Sequence, residues 1–336
     1  MTKIKPFITA IKLTLSIVLL WVLVHTSKLN FSLLVDLLYS PFSLMIILSL
    51  YILNICIGTW RWHRLNDAQM IRLSFVRTLL PAYLGIAFNN LLPGGVGGDF
   101  YRFYLLNKHT QAKKSAVMMS ILFDRLTGLM GIFIVTGFAA LFQLNHASNP
   151  SFVQLIMLTC LLICCGTALI FIVTKLLPIG LTSRIYKTIT QTKWLNPFLP
   201  LLSAIRIYSR SKWVIVECLI LSVIIQVIIA CTCMVIANMM HFPPIPLTHY
   251  IIAASITLIV NLIPVTPGGF GVGEMAFANI LTLLNPGISS TFATIFLAYR
   301  VIGLVTYLPG VSLFIFNSKA LTMKGHYETA IDKNLS

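Results

Sequence analysis

The sequence predicts an all-α polytopic membrane protein with about six full spans and two broken or re-entrant helix hairpins in an inverted repeat. Three observations carry this reading. The chain of 336 residues is 58% hydrophobic and 10% charged, against roughly 25% charged in a soluble globular chain. Apolar runs long enough to cross about 30 Å of hydrocarbon recur along its length. Two Gly/Pro clusters break shorter apolar stretches at corresponding places in the two halves.

The long runs lie at about 7–25, 42–60, 115–143, 152–174, 213–239 and 289–316. Lys3, Lys5 and Lys12 before the first run give it the look of a secretory signal. It has no small-residue cleavage site, so it reads as the first span. Stretches 79–92 and 249–263 are too short to cross alone and end in glycine and proline, the pattern of broken or re-entrant helices.

The formal charge is +16. Its basic residues crowd the connections 61–78, 102–114 and 175–212 rather than one helix face, a mark of topology and not of nucleic-acid binding. The positive-inside rule places those connections in the cytoplasm, with both termini, in a cell (inner) membrane. The span count then closes only if 79–101 and 249–288 each enter and leave on one side, the first from the cytoplasm and the second from outside. Residues 1–336 form a single integral membrane domain with repeat halves at about 42–143 and 213–316. The basic connector 175–212 is either an amphipathic interfacial piece or a plain charged link.

The repeat rests on register. Pro93-Gly-Gly-Val-Gly-Gly-Asp99 matches Pro267-Gly-Gly-Phe-Gly-Val-Gly-Glu274, and each cluster follows an Asn and an apolar-Pro step, at Asn90 and Asn261. An arginine follows each acid by the same interval (125 − 99 = 26; 300 − 274 = 26), opening Arg125-Leu-Thr-Gly-Leu129 and Arg300-Val-Ile-Gly-Leu304. The offset is 175 from each acid through its Arg-x-x-Gly-Leu segment.

Broken backbone at membrane depth must be buried or face water, and a glycine-rich helix start presents N–H groups to an anion. Close helix packing is the plainer use of such glycines. An ionisable group inside a span costs at least about 2.5 kcal/mol unless compensated. Asp99–Arg125 and Glu274–Arg300 are therefore expected to pair, either to fasten each broken helix or to open onto a lipid phosphate, for which arginine offers a forked donor. The candidate substrate-binding set is Asn90, Gly94, Gly95, Gly97, Gly98, Asp99, Arg102, Asp124 and Arg125 in the first half. In the second it is Asn261, Gly268, Gly269, Gly271, Glu274 and Arg300. Glu217 reads as a snorkelling interfacial acid near Lys212, and Arg61-Trp62 as a headgroup anchor more than a substrate contact.

No catalytic, metal or cofactor centre is expected. The seven cysteines lie in apolar runs as small hydrophobes. The histidines lack ligand spacing, and no Asp-x-x-Asp, Walker lysine or Gly-x-Ser-x-Gly elbow occurs.

Over roughly residues 5–318 the sequence resembles the lysylphosphatidylglycerol synthase transmembrane-region family, flippase-like proteins related to the N-terminal half of the bacterial multiple peptide resistance factor. The matching pieces are Arg61-Trp62, Phe88-Asn89-Asn90-Leu-Leu-Pro-Gly-Gly, Gly97-Gly98-Asp99 with Arg102, Asp124-Arg125-Leu-Thr-Gly128-Leu129, Pro267-Gly-Gly-Phe-Gly with Glu274, and Arg300. The resemblance implies lipid handling. In two-domain relatives a soluble synthase adds an amino acid to phosphatidylglycerol and the membrane half carries the product across. These residues contain no synthase portion, so aminoacylation is not expected of them and the cargo stays open.

The leading expectation is a lipid flippase or lipid-binding transporter for an anionic or aminoacylated phospholipid or a lipid-linked substrate. It predicts a hydrophilic midplane cavity lined by both glycine clusters. The alternatives are a membrane-embedded transferase using Asp99 or Glu274 as base, which needs a metal or second acid nearby, and an assembly partner. Membrane phospholipid is the expected partner; a homo-oligomer and a separate lipid-modifying enzyme stay open.

Overall fold

The computed structural model describes residues 40–91, 97–145, 149–176, 199–263, 265–288 and 291–316, with a few positions between 14 and 33. About half of the predicted first span, 7–25, falls outside them. Among the described residues the elements are helices: α1 (Pro41–Ala68), α2 (Phe75–Leu91), α3 (Gly97–His109), α4 (Lys114–Gln143), α5 (Pro150–Leu176), α6 (Leu199–Arg210), α7 (Lys212–Met239) and α8 (Leu247–Val260). A 3₁₀ turn at Pro267–Gly269, α9 (Val272–Leu284) and α10 (Phe292–Phe316) complete the order. Five stretches are long and apolar enough to cross a membrane: Pro41–Ala68, Lys114–Gln143, Pro150–Ile170, Lys212–Met239 and Phe292–Pro309. They match the five later runs of the sequence.

The 175-residue offset maps α3 onto α9 end for end (97 + 175 = 272; 109 + 175 = 284). It also superposes α1 on α7, α2 on α8 and α4 on α10 within a few residues. Glycine and proline explain the breaks: α2 stops two residues before Pro93, and the backbone after α8 reaches α9 through three glycines at positive φ, Gly268 (60°), Gly269 (74°) and Gly271 (82°). Side chains with a Cβ rarely adopt that region.

α1 and its mate α7 pack antiparallel. Arg64 pairs with Glu217, Arg61 with Ser222, and Gly58 faces Ile225, so one index falls as the other rises. Two equivalent helices that run in opposite directions make the repeat an inverted one. The halves are also interlocked: α2 lies on α10, where Tyr83 Oη donates to the Thr306 carbonyl at 2.6 Å, and α8 lies on α4. The Pro267–Gly269 turn packs against α2, bringing the tip of the second hairpin to the flank of the first.

The C-terminal end of α1, the start of α7 and the α3–α4 connection share one end of the bundle, because Leu65 packs with Met119 and Ile71 with Val117. Lys108, Lys113, Lys114, Arg64 and Lys212 gather there. Of the connector 175–212, residues 177–198 lie outside the described set. The remainder forms α6, which docks on the bundle rather than trailing from it: Tyr208 Oη donates to the Leu65 carbonyl at 3.1 Å, and its ring lies 4.2 Å from that of Phe123.

A Cβ on Gly131 would collide with the backbone and Cβ of Ser222, so this glycine lets α4 and α7 touch. Gly131→Val is expected to lower stability by about 1–3 kcal/mol. Gly58→Val, whose Cβ would meet only the end of Ile225 at 3.9 Å, is expected to leave it nearly unchanged. Thermal unfolding in detergent checks the contrast.

Candidate functional site

Each hairpin tip carries its acid in the first turn of a short helix, Asp99 on α3 and Glu274 on α9. There a carboxylate is favoured by the free N–H groups of the helix start. The long helix that follows supplies the arginine. At the first tip Arg125 forks onto Asp99, Nη2 to Oδ1 at 2.7 Å and Nε to Oδ2 at 3.0 Å. The Gly98 N–H donates to Asn89 Oδ1 at 2.9 Å. Gly98 leaves room for the Gly85 carbonyl, closing α3 onto α2.

Beneath this pair lies a buried charge layer. Asp124 accepts from Arg61 Nε at 2.8 Å and from Arg102 Nη1 at 3.1 Å. Arg61 also donates to Ser222 Oγ at 2.9 Å, the Arg102 guanidinium lies 5.0 Å over the Trp62 ring, and Arg102 Nη1 stands 4.0 Å from Asp99. The layer and the tip together set three guanidiniums, of Arg61, Arg102 and Arg125, against two carboxylates, of Asp99 and Asp124. The surplus is one positive charge inside the bundle, and Arg102 Nε is buried without a hydrogen-bond partner. A surplus cation in low dielectric attracts an anion strongly.

The second tip is sealed and balanced. Glu274 is fully buried; its Oε2 accepts from the Gly271 N–H at 2.6 Å and its Oε1 stands 3.4 Å from Arg300 Nε. The Arg300 guanidinium is sandwiched between the rings of Phe270 (5.1 Å) and Phe296 (4.9 Å), a contact that suits arginine's flat cation. Gly269 and Gly273 give space to Arg300 and Asn261. Asn261 Oδ1, Glu274 Oε1 and Arg300 Nη1 are buried without hydrogen-bond partners.

The offset of 175 shows what the second copy lacks. Asp124 maps to Tyr299, Arg102 to Phe277, Arg61 to Ile236 and Trp62 to Ala237. Its charged layer is replaced by aromatic stacking, Phe277 on Phe296 at 5.2 Å, while Tyr51 donates its hydroxyl to the Tyr299 carbonyl.

The predicted acid–arginine pairs are both formed, and Arg102 and Asp124 join the first. Gly97 opens α3; Gly94 and Gly95, and the side chain of Asn90, lie outside the described residues. One expectation is corrected. Arg61 and Trp62 do not anchor α1 at the interface: Trp62 is fully buried under Arg102 and Arg61 is held by Asp124. Glu217 stays one-third exposed near the basic end, where Arg64 Nε (2.8 Å) and Trp60 Nε1 (2.9 Å) donate to it from α1. Asn89, not in the predicted set, is the asparagine that holds Gly98. Among the described residues no cluster of three His, Cys, Asp or Glu side chains is placed to hold a metal ion.

A family model described as Lysylphosphatidylglycerol synthase TM region matches residues 9–310. No curated protein matches the chain.

Removing Asp124 strands two buried guanidiniums, whereas removing Asp99 strands one that is 44% exposed. Breaking a buried pair by deleting one partner costs about 3–5 kcal/mol. Asp124→Ala is therefore expected to destabilise by that order and Asp99→Ala by clearly less, read by thermal unfolding of the purified variants.

Proposed function

From the premise that the chain belongs to the lysylphosphatidylglycerol synthase transmembrane-region family, we propose that it is a lipid flippase or lipid-binding transporter whose cargo is an anionic or aminoacylated phospholipid or a lipid-linked substrate. The family is linked to lipid modification or flipping, and the chain is a multi-pass membrane protein. The observation that carries the finer reading is the surplus guanidinium charge at the first hairpin tip, three arginines on two aspartates. A phosphodiester arriving there finds forked donors and a charge deficit to fill. The inverted copy, with its own acid–arginine pair, supports an arrangement that exchanges access between the two sides.

In this reading the basic end faces the cytoplasm of a cell membrane, and both termini lie with it. Cargo binding needs no cofactor: the arginines recognise the phosphate, the acids hold them apart from it until it comes, and the glycines let the hairpins approach. The transferase reading asks for a metal or a second acid. Asp124 does stand near Asp99 across Arg102, yet guanidiniums engage both carboxylates. Arginine N–H groups already occupy acceptor sites on both, which weighs against a general-base role for Asp99.

Reconstituted into vesicles, the wild type is expected to move fluorescent anionic phospholipid between leaflets. Loss of a charge-assisted hydrogen bond is worth about 1.5–3 kcal/mol, so Arg125→Ala and Arg300→Ala, shown to be folded, should slow this about tenfold or more. A folded wild type that moves no lipid, of anionic or cationic headgroup, would remove the transport reading.

A further inference from the structure

Outside the buried layer, the structure shows a groove of about 320 Å³ between α3 and α4, lined by Phe100, Phe103, Tyr104, Asn107, Lys108 and Lys114. Helical register describes its walls. On α3, Asp99, Phe103 and Asn107 recur every fourth residue and form one line, and Phe100, Tyr104 and Lys108 form the line beside it. On α4, Lys114, Met118, Leu122 and Arg125 fall on one face, about 16 Å long at 1.5 Å per residue. Two lysines therefore stand at the outer mouth, aromatic rings line the wall, and the Asp99–Arg125 pair lies beyond the groove's lining, farther along the same two helices.

Arg125 is the unusual member. It sits well inside a candidate span, yet its side chain is 44% exposed, beside exposed Leu122 and Leu126. Asp99 takes Nε and Nη2. Nη1 has no hydrogen bond among the described residues. An arginine at such depth on an open face is costly unless a polar partner reaches it.

The second hairpin provides an internal control. At the 175-residue offset Phe100 becomes Met275, Tyr104 becomes Asn279, Lys108 becomes Leu283 and Lys114 becomes Ser289, while Arg300 is tucked between Phe270 and Phe296. Both lysines and the exposed arginine thus belong to the first hairpin alone. The lysines' place at the basic end also satisfies the positive-inside pattern, but an exposed arginine this far inside a span has no such explanation.

We infer that the α3–α4 groove is the lateral access site for an anionic phospholipid from the leaflet at the basic end. Its phosphodiester is caught by Lys108 and Lys114, its chains lie along Phe100 and Tyr104, and the headgroup is handed inward to Arg125 as Asp99 releases the guanidinium. This rests on the lipid-transport reading and adds to it the leaflet of origin, the docking residues and the headgroup charge.

The test is photo-crosslinking from position 104 with p-benzoylphenylalanine in place of the tyrosine. The full chain is held in phosphatidylcholine vesicles carrying a minor fraction of labelled phosphatidylglycerol or, in a parallel set, labelled phosphatidylcholine. The same probe at Leu158, an exposed position on α5, reports the ordinary lipid surface. Each lysine near an anionic headgroup is worth about a fivefold preference. The anionic lipid should therefore be captured several-fold better at 104, equally with phosphatidylcholine at 158, and without preference at 104 in Lys108→Gln/Lys114→Gln. Equal capture of both lipids at 104 in the wild type, or a preference that survives the double substitution, overturns the proposal. Headgroup selection at 104 without transport in vesicles would leave the groove as a binding site and remove the flippase reading. Transport without selection would do the reverse.

Discussion

Asp124 is the residue on which the first half of the molecule turns. One carboxylate, almost fully buried, receives Arg61 from α1 and Arg102 from α3 while standing on α4 itself, and Arg61 extends the link to Ser222 on α7. In hydrocarbon there is no water to take over any of these contacts, so the four helices are held in one relative placement by the requirement that each charge be answered. The Trp62 ring under Arg102 and the close glycine approaches, Gly98 on Gly85 and Gly131 on Ser222, serve the same placement. Lengthening any of them by a methyl group would pull a charge from its partner.

The same constraint explains why the two halves differ. The backbone plan is shared, down to equal lengths for α3 and α9 and an acid–arginine pair at each tip. In the second half the positions of Asp124, Arg102 and Arg61 are held by Tyr299, Phe277 and Ile236, and aromatic packing replaces ion pairing. One tip is thus net positive and partly open, the other neutral and shut. In the lipid-transport reading proposed above, two tips of unequal charge and exposure give direction to binding, since a phosphate gains most where a guanidinium is left over.

Glu217 belongs to this picture at the basic end. It binds Arg64 and Trp60 across the α1–α7 contact, where the equivalent helices cross antiparallel. At the opposite end Phe42 takes the position of Glu217 and Met239 that of Arg64. The charged clasp of the pseudo-symmetric helix pair is therefore found at the basic end, and the equivalent positions at the other end carry Met239 and an exposed Phe42 instead.

Composition and periodicity determined the membrane class, the later spans, the two broken hairpins and the repeat, because hydrocarbon thickness and helix geometry leave few other uses for such runs. The 26-residue spacing from acid to arginine also foretold both tip pairs, since an isolated charge inside a span has to find its complement. What the sequence could not decide was which partner lies across from a helix when the partner comes from another helix. Arg61, Trp62 and Glu217 stand at helix ends, where residues of their kind ordinarily meet headgroups. Only the packing of α3 and α7 against α1 turns Arg61 and Trp62 inward and gives Glu217 its partners across the α1–α7 contact. Asn89 was missed in favour of its neighbour Asn90 for a related reason: one residue is a rotation of about 100° on a helix. Which of the two faces Gly98 is settled by how α2 and α3 lie together, and by nothing local.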